Sequence, residues 1–309
     1  MLGSPGRILI GLTSLLGICV SIGCGTNARR EVVVYASQDQ VFAEPVFESF
    51  TRETGILVKA VFDSEAVKTV GLANRLIAEA SNPRCDVFWN NEELRTRLLE
   101  RRGLLRADLP WTAFGARRRV LVVNTNRVTL DRWPRGLVEL TNVAWRSKVV
   151  LAYPVFGTTA SHFLILHERW GESAWDSWCR AFASNGPKIV DGNSVAARLV
   201  ARGEADVALT DSDDFEMIRR EGAPVAAINL QEDGLLIPNT VSVLRGAPHP
   251  KEAEVLFRYL ASASVREKLA ASGAILKDSP PSGEAAREWD RALEFHERAI
   301  LRLKELFLR

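Results

Sequence analysis

The stretch Asp206-Val207-Ala208-Leu209-Thr210-Asp211-Ser212-Asp213-Asp214-Phe215 joins a short apolar run to an acidic end. Its residues 207–210 predict a buried strand, and the residues from 214 onward predict a helix. In open α/β sheets, ligands bind where strands end and helices begin. The stretch therefore predicts an α/β fold with a ligand site at this acidic end.

Three carboxylates follow the predicted strand, at Asp211, Asp213 and Asp214. A single aspartate at a helix N-terminus satisfies free backbone N–H groups and suits the helix dipole, and Asp211 is best placed to do so. Three within four residues repel one another unless a cation, a basic partner or a proton shift offsets the charge. Because perturbed ionisation is common at functional sites, we favour a binding site over a helix cap.

Strands alternate with helices on both sides of this stretch, with no internal repeat. Apolar and β-branched runs predict strands at residues 31–36, 57–62, 85–89, 119–124, 148–152 and 188–190, and a long extended run at 235–244. Amphipathic patterns predict helices at 43–54, 65–80, 92–102, 158–170, 175–183, 194–202, 214–221, 251–262, 265–272 and 284–308. On the last helix, apolar residues share one side, which indicates packing; they are Trp289, Leu293, Ile300, Leu303 and Phe307.

The N-terminal segment, residues 1–24, predicts a lipoprotein signal peptide. Arg7 precedes an apolar run at 8–20, and Ser21-Ile22-Gly23-Cys24 resembles the bacterial lipoprotein box. This resemblance implies that Cys24 is lipidated. We therefore expect an exported protein that its lipid anchors to a membrane, facing the periplasm or the cell exterior, with no later membrane span.

Composition and charge exclude several classes of protein. The 309 residues are 47% apolar, enough for a large core, and their 40 basic and 38 acidic side chains favour no nucleic-acid partner. The basic runs Arg101-Arg102 and Arg117-Arg118-Arg119 lack interleaved aromatic residues, so we expect solvated faces or strand starts. The sequence has no nucleophile-elbow, P-loop or dinucleotide motif, so no enzyme activity is predicted.

Histidines and cysteines point to no additional site. His162 and His167 are five residues apart on one predicted helix, which is not a spacing for shared zinc ligation. Cys85 and Cys179 are the two cysteines beyond the predicted leader, and whether they form a disulfide stays open.

Six motifs follow one another along nearly the whole chain after the leader. They are Val33-Val34-Tyr35-Ala36-Ser37, Phe50-Thr51-Arg52-Glu53-Thr54-Gly55-Ile56-Leu57-Val58, Cys85-Asp86-Val87-Phe88-Trp89-Asn90-Asn91-Glu92, Arg119-Val120-Leu121-Val122-Val123-Asn124-Thr125, Gly192-Asn193-Ser194-Val195 and Gly246-Ala247-Pro248-His249-Pro250. In this order they resemble the extracellular solute-binding proteins of the ferric-iron-binding type, the periplasmic receptors of ABC importers.

The resemblance implies a two-lobed periplasmic-binding-protein-like fold of class II type. Each lobe is then a sheet flanked by helices, and crossing strands form the hinge. We expect residues 31–121 with 239–283 in lobe 1, 122–238 in lobe 2, and a C-terminal helix at 284–309 packed on the lobes. The implied partners are the permease and ATPase subunits of an ABC importer, with the binding protein as a monomer.

The ligand set that the resemblance implies departs from the family pattern. Asp213 and Asp214 stand where ferric-iron receptors carry adjacent tyrosines, Glu92 matches the family's glutamate, and Asp39 lies near the first-loop ligand. With Asp211, these carboxylates favour hard cations. We therefore expect iron or a divalent cation as the transported ligand.

The resemblance also implies an anion pocket beside the cation. Its predicted donors are Gly157, Thr158, Thr159 and Asn193 at helix starts, together with Arg119. Further candidates are Ser37, Asn91 and Asn239, and, more weakly, Ser64 and Glu65. Asn239 equally suits a hydrogen bond near the hinge.

Three other functions stay open at this point. They are binding of a small zwitterionic or anionic organic solute, carboxylate-dependent hydrolysis, and sensing through a membrane partner.

Overall fold

Strands and helices alternate through most of the chain, as the sequence predicts. The computed structural model describes residues 1, 3, 30–62, 68–276 and 284–308, so the predicted signal peptide with Cys24, and Ser64 with Glu65, lie outside the described residues. The strands are β1 Glu31–Ala36, β2 Leu57–Phe62, β3 Val87–Asn90, β4 Thr112–Asn124, β5 Val149–Ala152, β6 Lys188–Val190, β7 Val207–Asp211, β8 Val225–Asn229 and β9 Leu236–Val243. The helices are α1 Gln40–Thr54, α2 Lys68–Ala78, α3 Glu93–Arg101, α4 Gly157–Trp170, α5 Glu172–Ser184, α6 Asn193–Ala201, α7 Ser212–Arg220, α8 Pro250–Leu260, α9 Ala263–Ser272 and α10 Glu284–Phe307.

The strands form one mixed sheet in the order β2-β1-β3-β9-β4-β7-β5-β6, and β8 also pairs with β4. β1 is parallel to β2 and β3, and β5 is parallel to β6 and β7. Parallel neighbours require crossover connections, which α1, α2, α5 and α6 help to supply. The sheet therefore consists of two parallel parts, and the antiparallel strands β9 and β4 lie between them.

β4 connects these two parts. Its residues 112–118 pair antiparallel with β9, while residues 119–124 pair antiparallel with β7 and β8. The sequence predicted only residues 119–124 as a strand, because small and basic residues dominate the preceding segment. Its backbone is nevertheless paired with β9, so tertiary pairing extends the strand by seven residues.

Other elements differ from the predictions mainly at their ends. α1 begins at Gln40 rather than 43, because the N–H groups of Phe42 and Ala43 already donate to the Asp39 carbonyl. α5 begins at Glu172 rather than 175, and β3 spans Val87–Asn90 rather than 85–89. The strand β8 was not predicted from the sequence. Its backbone pairs with residues 120–124 of β4.

Two large apolar clusters lie on the two parts of the sheet. One contains Val32, Trp89 and Val243 beside β1, β3 and β9, and the other contains Leu209 and Trp289 beside β7 and α10. α10 packs on α3, α4 and α5. The lobe boundaries predicted from the sequence stay predictions.

Two observations bear on export and redox chemistry. Cys85 and Cys179 are both buried free thiols in the structure. Among the described residues, no helix combines the length and the apolar character needed to cross a membrane.

Candidate ligand site

The junction of β7 and α7 brings the three predicted aspartates together. Asp211, Asp213 and Asp214 are buried, and one carboxylate oxygen of each lies within 4.8 Å of the others. Asp211 occupies the N-cap position of α7, but its side chain makes no capping hydrogen bond. Asp211 is thus the N-cap residue of α7, as the sequence predicts, but its carboxylate does not accept a hydrogen bond from the helix backbone.

The Asp211 carboxylate is held by donors from three other elements. Arg119 Nη1 lies 2.7 Å from Oδ1, and Thr158 Oγ1 donates to Oδ2 over 2.7 Å. Asn193 Nδ2 also donates to Oδ2 over 3.3 Å. Burial raises the pKa of Asp211, but the charges of Arg119 and Arg117 outweigh burial and hold it below its usual value. Asp211 is therefore an ionised carboxylate at neutral pH.

Arg117 is the second basic partner of the cluster. Its Nη1 lies 3.1 Å from Asp213 Oδ2 and 3.3 Å from Asp211 Oδ2, and its Nη2 donates to the Asn91 carbonyl over 2.7 Å. The expectation of a solvated face at Arg117 is wrong, because the residue is only 6% exposed. Arg117 and Arg119 are two residues apart on a strand and so share one face. The two-residue spacing from Arg119 could therefore have predicted that Arg117 also faces the site.

Proton shifts offset the remaining negative charge. Burial raises the pKa of Asp213 to about 6, against the effect of Arg117 and together with that of Asp211. Burial, and then the neighbouring carboxylates Asp213, Asp211 and Asp39, raise the pKa of Asp214 well above its usual value. Asp214 Oδ2 accepts a hydrogen bond from Thr210 Oγ1 over 3.0 Å. Within the described part of the chain, Asp213 Oδ1 is buried with no hydrogen-bond partner.

Glu92 and Asp39 lie on the β1–β3 side of the site. Glu92 is 1% exposed; its Oε1 accepts from the Arg95 N–H over 3.1 Å, and its Oε2 accepts from Ser161 Oγ over 3.0 Å. Burial raises the pKa of Glu92. Its carboxylate therefore caps α3 and contacts α4, and it does not join the group of three aspartates. Asp39 is half-buried at the start of α1.

Amide and hydroxyl groups form a neighbouring cluster on β9 and the loops after β1 and β3. Asn239 Nδ2 donates to Gln38 Oε1 over 3.1 Å and to Asn91 Oδ1 over 3.0 Å. The Asn91 N–H donates to Ser37 Oγ over 2.7 Å. The structure thus brings together the predicted residues Ser37, Asn91 and Asn239. Gln38, which lies between the candidates Ser37 and Asp39 in the loop where the resemblance places the first-loop ligand, joins them.

The predicted anion donors surround Asp211 instead of an open space. Thr159 Oγ1 donates to Asn193 Oδ1 over 3.2 Å, and Arg119 Nη1 donates to the same oxygen over 3.0 Å. Asn193 Nδ2 donates to Thr158 Oγ1 over 2.8 Å. Gly157 begins α4 with a φ of 53°, a conformation that glycine adopts readily. Arg119 Nη1, Thr158 Oγ1, Thr159 Oγ1 and Asn193 Nδ2 thus have partners within the protein, whereas Arg119 Nε is buried without one among the described residues.

A sequence relative supports the same family as the motifs do. The major ferric iron-binding protein of Neisseria gonorrhoeae is 23% identical over 278 residues, which cover 82% of this chain and 82% of the relative.

Solved structures match the fold over almost the whole described chain. Iron-bound HitA from Pseudomonas aeruginosa has a TM-score of 0.77 at 19% identity, covering 90% of this chain and 99% of that one. The periplasmic binding protein AfuA from Actinobacillus pleuropneumoniae, with exogenous fructose-6-phosphate bound, has a TM-score of 0.78 at 20% identity, covering 91% and 99%. At such identities the likeness shows the fold alone, and it confirms the predicted two-lobed α/β fold. Because the profile of the bacterial extracellular solute-binding proteins matches residues 31–274, the chain belongs to that family.

Proposed function

We propose that this protein is an exported lipoprotein that captures a metal cation of the iron type and delivers it to an ABC importer. Solute-binding proteins of this family bind a small ligand and work with ABC permease and ATPase subunits. The name of the Neisseria gonorrhoeae relative specifies ferric iron. The cation and the lipid anchor are our proposal for this chain.

The observation that carries the proposal is the convergence of Asp213 and Asp214. Their carboxylates approach each other in a buried site, and Asp213 Oδ1 makes no hydrogen bond within the described residues. A cation bound there would pair with this oxygen and replace the proton that the raised pKa of Asp214 retains. Carboxylate oxygens suit iron, manganese, magnesium and calcium.

The charge of the whole site favours the same class of ligand. The site contains five carboxylates and three guanidinium groups, so its net charge is −2 when all are ionised and −1 when Asp214 keeps its proton. The carboxylates are Asp39, Glu92, Asp211, Asp213 and Asp214, and the guanidinium groups are Arg95, Arg117 and Arg119. Such a site attracts a cation and opposes an anion.

A phosphorylated or zwitterionic organic solute is the second candidate. The AfuA structure holds fructose-6-phosphate in a similar fold. In this chain, however, Arg119 Nη1, Thr158 Oγ1 and Asn193 Nδ2 already contact the Asp211 carboxylate, which occupies these donors. The cation is therefore the better supported ligand.

Calorimetry on chelator-treated protein tests the proposal. Titrations with calcium, magnesium, manganese, ferrous and ferric ions should give heat for at least one ion. The same ion should stabilise the protein by about 2.7 kcal/mol at a hundredfold excess over its dissociation constant. If no ion gives heat or stabilisation while sugar phosphates do, the cation proposal is wrong and the second candidate replaces it.

The lipid anchor is tested separately. Mass spectrometry of the membrane fraction should find diacylglycerol on Cys24, and Cys24→Ala should release the protein from that fraction. Unchanged membrane partition of Cys24→Ala would contradict the anchor and leave the cation proposal untouched.

A further inference from the structure

A cluster of donors meets the Asp211 carboxylate where α4 and α6 begin. Arg119 Nη1, Thr158 Oγ1 and Asn193 Nδ2 all lie within hydrogen-bond distance of this carboxylate. Arg117 Nη1 adds a charge 3.3 Å from Oδ2. Both oxygens of one aspartate are thus occupied by groups from β4, α4 and α6.

These donors require an anion. Arg119 is 0% exposed, and a buried guanidinium without a negative partner is strongly unfavourable. Thr158 and Asn193 lie in the first turns of α4 and α6, where the helix dipoles add partial positive charge. The chemistry of this corner of the cleft is therefore that of a carboxylate or oxyanion site.

The sheet itself supplies the anion. Arg119 on β4 and Asp211 on β7 are directly paired residues of adjacent antiparallel strands. Their side chains lie on the same face, so sheet register holds the guanidinium and the carboxylate together. Asp211 is consequently positioned before any ligand arrives.

We propose that Asp211 is a built-in anion, which fills the oxyanion site of the cleft so that the cation binds to Asp213 and Asp214 without an accompanying free anion. The binding of the cation to Asp213 and Asp214 rests on the proposed function, whereas the filling of the oxyanion site by Asp211 does not. The ligand chemistry that Asp211 replaces is a small carboxylate or tetrahedral oxyanion.

The test removes the carboxylate and supplies it from solution. Asp211→Ala leaves Arg119, Thr158 and Asn193 around an emptied volume, so formate, acetate or sulfate should bind there. We expect the variant to melt at a lower temperature than the wild type in chloride. Formate, acetate or sulfate at the same ionic strength should restore part of the loss, and titration calorimetry should show saturable binding. The wild type should show neither effect.

Asp214→Ala is the matched control. It removes a neighbouring buried carboxylate that Arg119 does not contact, so the added anions should give it no stabilisation. A stabilisation of Asp214→Ala equal to that of Asp211→Ala would overturn the inference. So would saturable binding of sulfate or formate to the wild type, since the site would then be open.

Asp211→Ser serves if the alanine variant does not fold. The serine keeps a polar group at this position but removes the carboxylate and most of its volume, so cation affinity should rise when formate is added. Cation affinity of the wild type should change by less than about twofold under the same conditions, which corresponds to a negligible coupling free energy. An equal anion dependence in both proteins would overturn the inference. If no cation binds, the anion titrations of Asp211→Ala, or of Asp211→Ser when the alanine variant does not fold, still decide it, so the two proposals fail independently.

Discussion

Asp214 is a buried acid whose charge is opposed by burial and by three neighbouring carboxylates. Asp214→Asn keeps the side-chain volume and an acceptor for Thr210 Oγ1. The unliganded variant should therefore melt at the same temperature as the wild type or higher, because it removes the cost of burying an acid that folding forces to take up a proton, without opening a cavity. It should lose most of the cation-induced stabilisation, measured by differential scanning calorimetry.

Asp131→Asn is the control for that substitution. Asp131 is exposed in the turn at Leu130–Arg132, far along the chain from α7, so its variant should respond to cations like the wild type. Full cation stabilisation of Asp214→Asn would show that Asp214 is not a ligand.

Asp213 should make both stability and binding depend on pH. Its pKa is raised from 3.8 to about 6 in the folded protein, so the folded state binds more protons than the unfolded state between these values. The free energy of unfolding contributed by Asp213 therefore falls as pH rises from 3.8 to about 6 and stays low above it. Asp213→Asn should remove this slope, measured by urea unfolding across the range.

The same titration controls ligand binding. One pH unit below its folded pKa, Asp213 is about one-tenth ionised, so cation affinity should be about tenfold weaker than at neutral pH. The affinity of Asp213→Asn should vary less with pH. A wild-type affinity that is flat between these conditions would exclude Asp213 as a ligand.

The positions of the site aspartates could be predicted from the sequence, but their ionisation could not. Asp211, Asp213 and Asp214 were predictable because an apolar strand leads directly into them. Their ionisation was not, because it depends on Arg117 and Arg119, which come from β4. Arg117 was predicted to be solvated since a run of arginines is usually exposed, and only its pairing partners across the sheet make it a buried residue.

At the scale of elements, β4 joins the two parts of the sheet, and Gly115 lies where this strand packs against Ile275. β4 is irregular between Ala113 and Gly115, opposite β9. A Cβ at Gly115 would lie 2.5 Å from Ile275 Cδ1 and 3.3 Å from Ile275 Cβ. Gly115→Ala should therefore lower the free energy of unfolding by about 1–3 kcal/mol through overpacking, measured by urea unfolding.

Two variants check the cause of that loss. Gly136→Ala should change stability by less than about 0.5 kcal/mol. Its Cβ would meet nothing closer than an Asp233 oxygen at 3.6 Å. Adding Ile275→Val to Gly115→Ala removes Cδ1 and should recover part of the stability. Equal losses for Gly115→Ala and Gly136→Ala would refute the steric explanation.

Elements were predicted well where local pattern determines them and poorly where pairing does. β1 and β2 have the predicted bounds, because each is rich in apolar and β-branched residues, with only Glu31 and Lys59 as charged members. Residues 112–118 lack such a run, and they are a strand because β9 pairs with them. Of the two strands that cross between the parts of the sheet, the sequence therefore predicted β9 in full and only residues 119–124 of β4.

At the scale of the whole molecule, α10 contacts elements on both sides of the predicted lobe boundary. Asp290 pairs with Arg97 Nη1 at 2.8 Å and with Arg101 Nη2 at 3.4 Å, both on α3. On the other side, Glu288 makes two hydrogen bonds with Arg169 of α4, and Trp289 is buried in the apolar cluster beside β7. α10 therefore restrains movement of α3 relative to α4 in addition to the two crossing strands.

Asp290→Asn should weaken this restraint without disturbing the apolar contacts of α10. Asp290 is 45% exposed, so its ion pairs contribute at most about 1 kcal/mol. If they favour the closed arrangement, the ratio of open to closed molecules should rise by up to about fivefold, and cation affinity should fall by at most that factor. Small-angle scattering of the unliganded variant should show a larger radius of gyration, and saturating cation should return it to the wild-type value.

Glu288→Gln is the matched control for this last prediction. It removes one acid from the same helix, with a side chain that is 13% exposed against 45% for Asp290. Its partner Arg169 lies on α4, which we assign to the same lobe as the buried face of α10. The variant should keep the wild-type radius of gyration and cation affinity. Equal opening in both variants would mean that α10 stabilises the fold in general. Opening in Asp290→Asn alone would identify the α3 ion pairs as a restraint on the hinge, because they connect α10 to the opposite predicted lobe whereas the Glu288 pair does not.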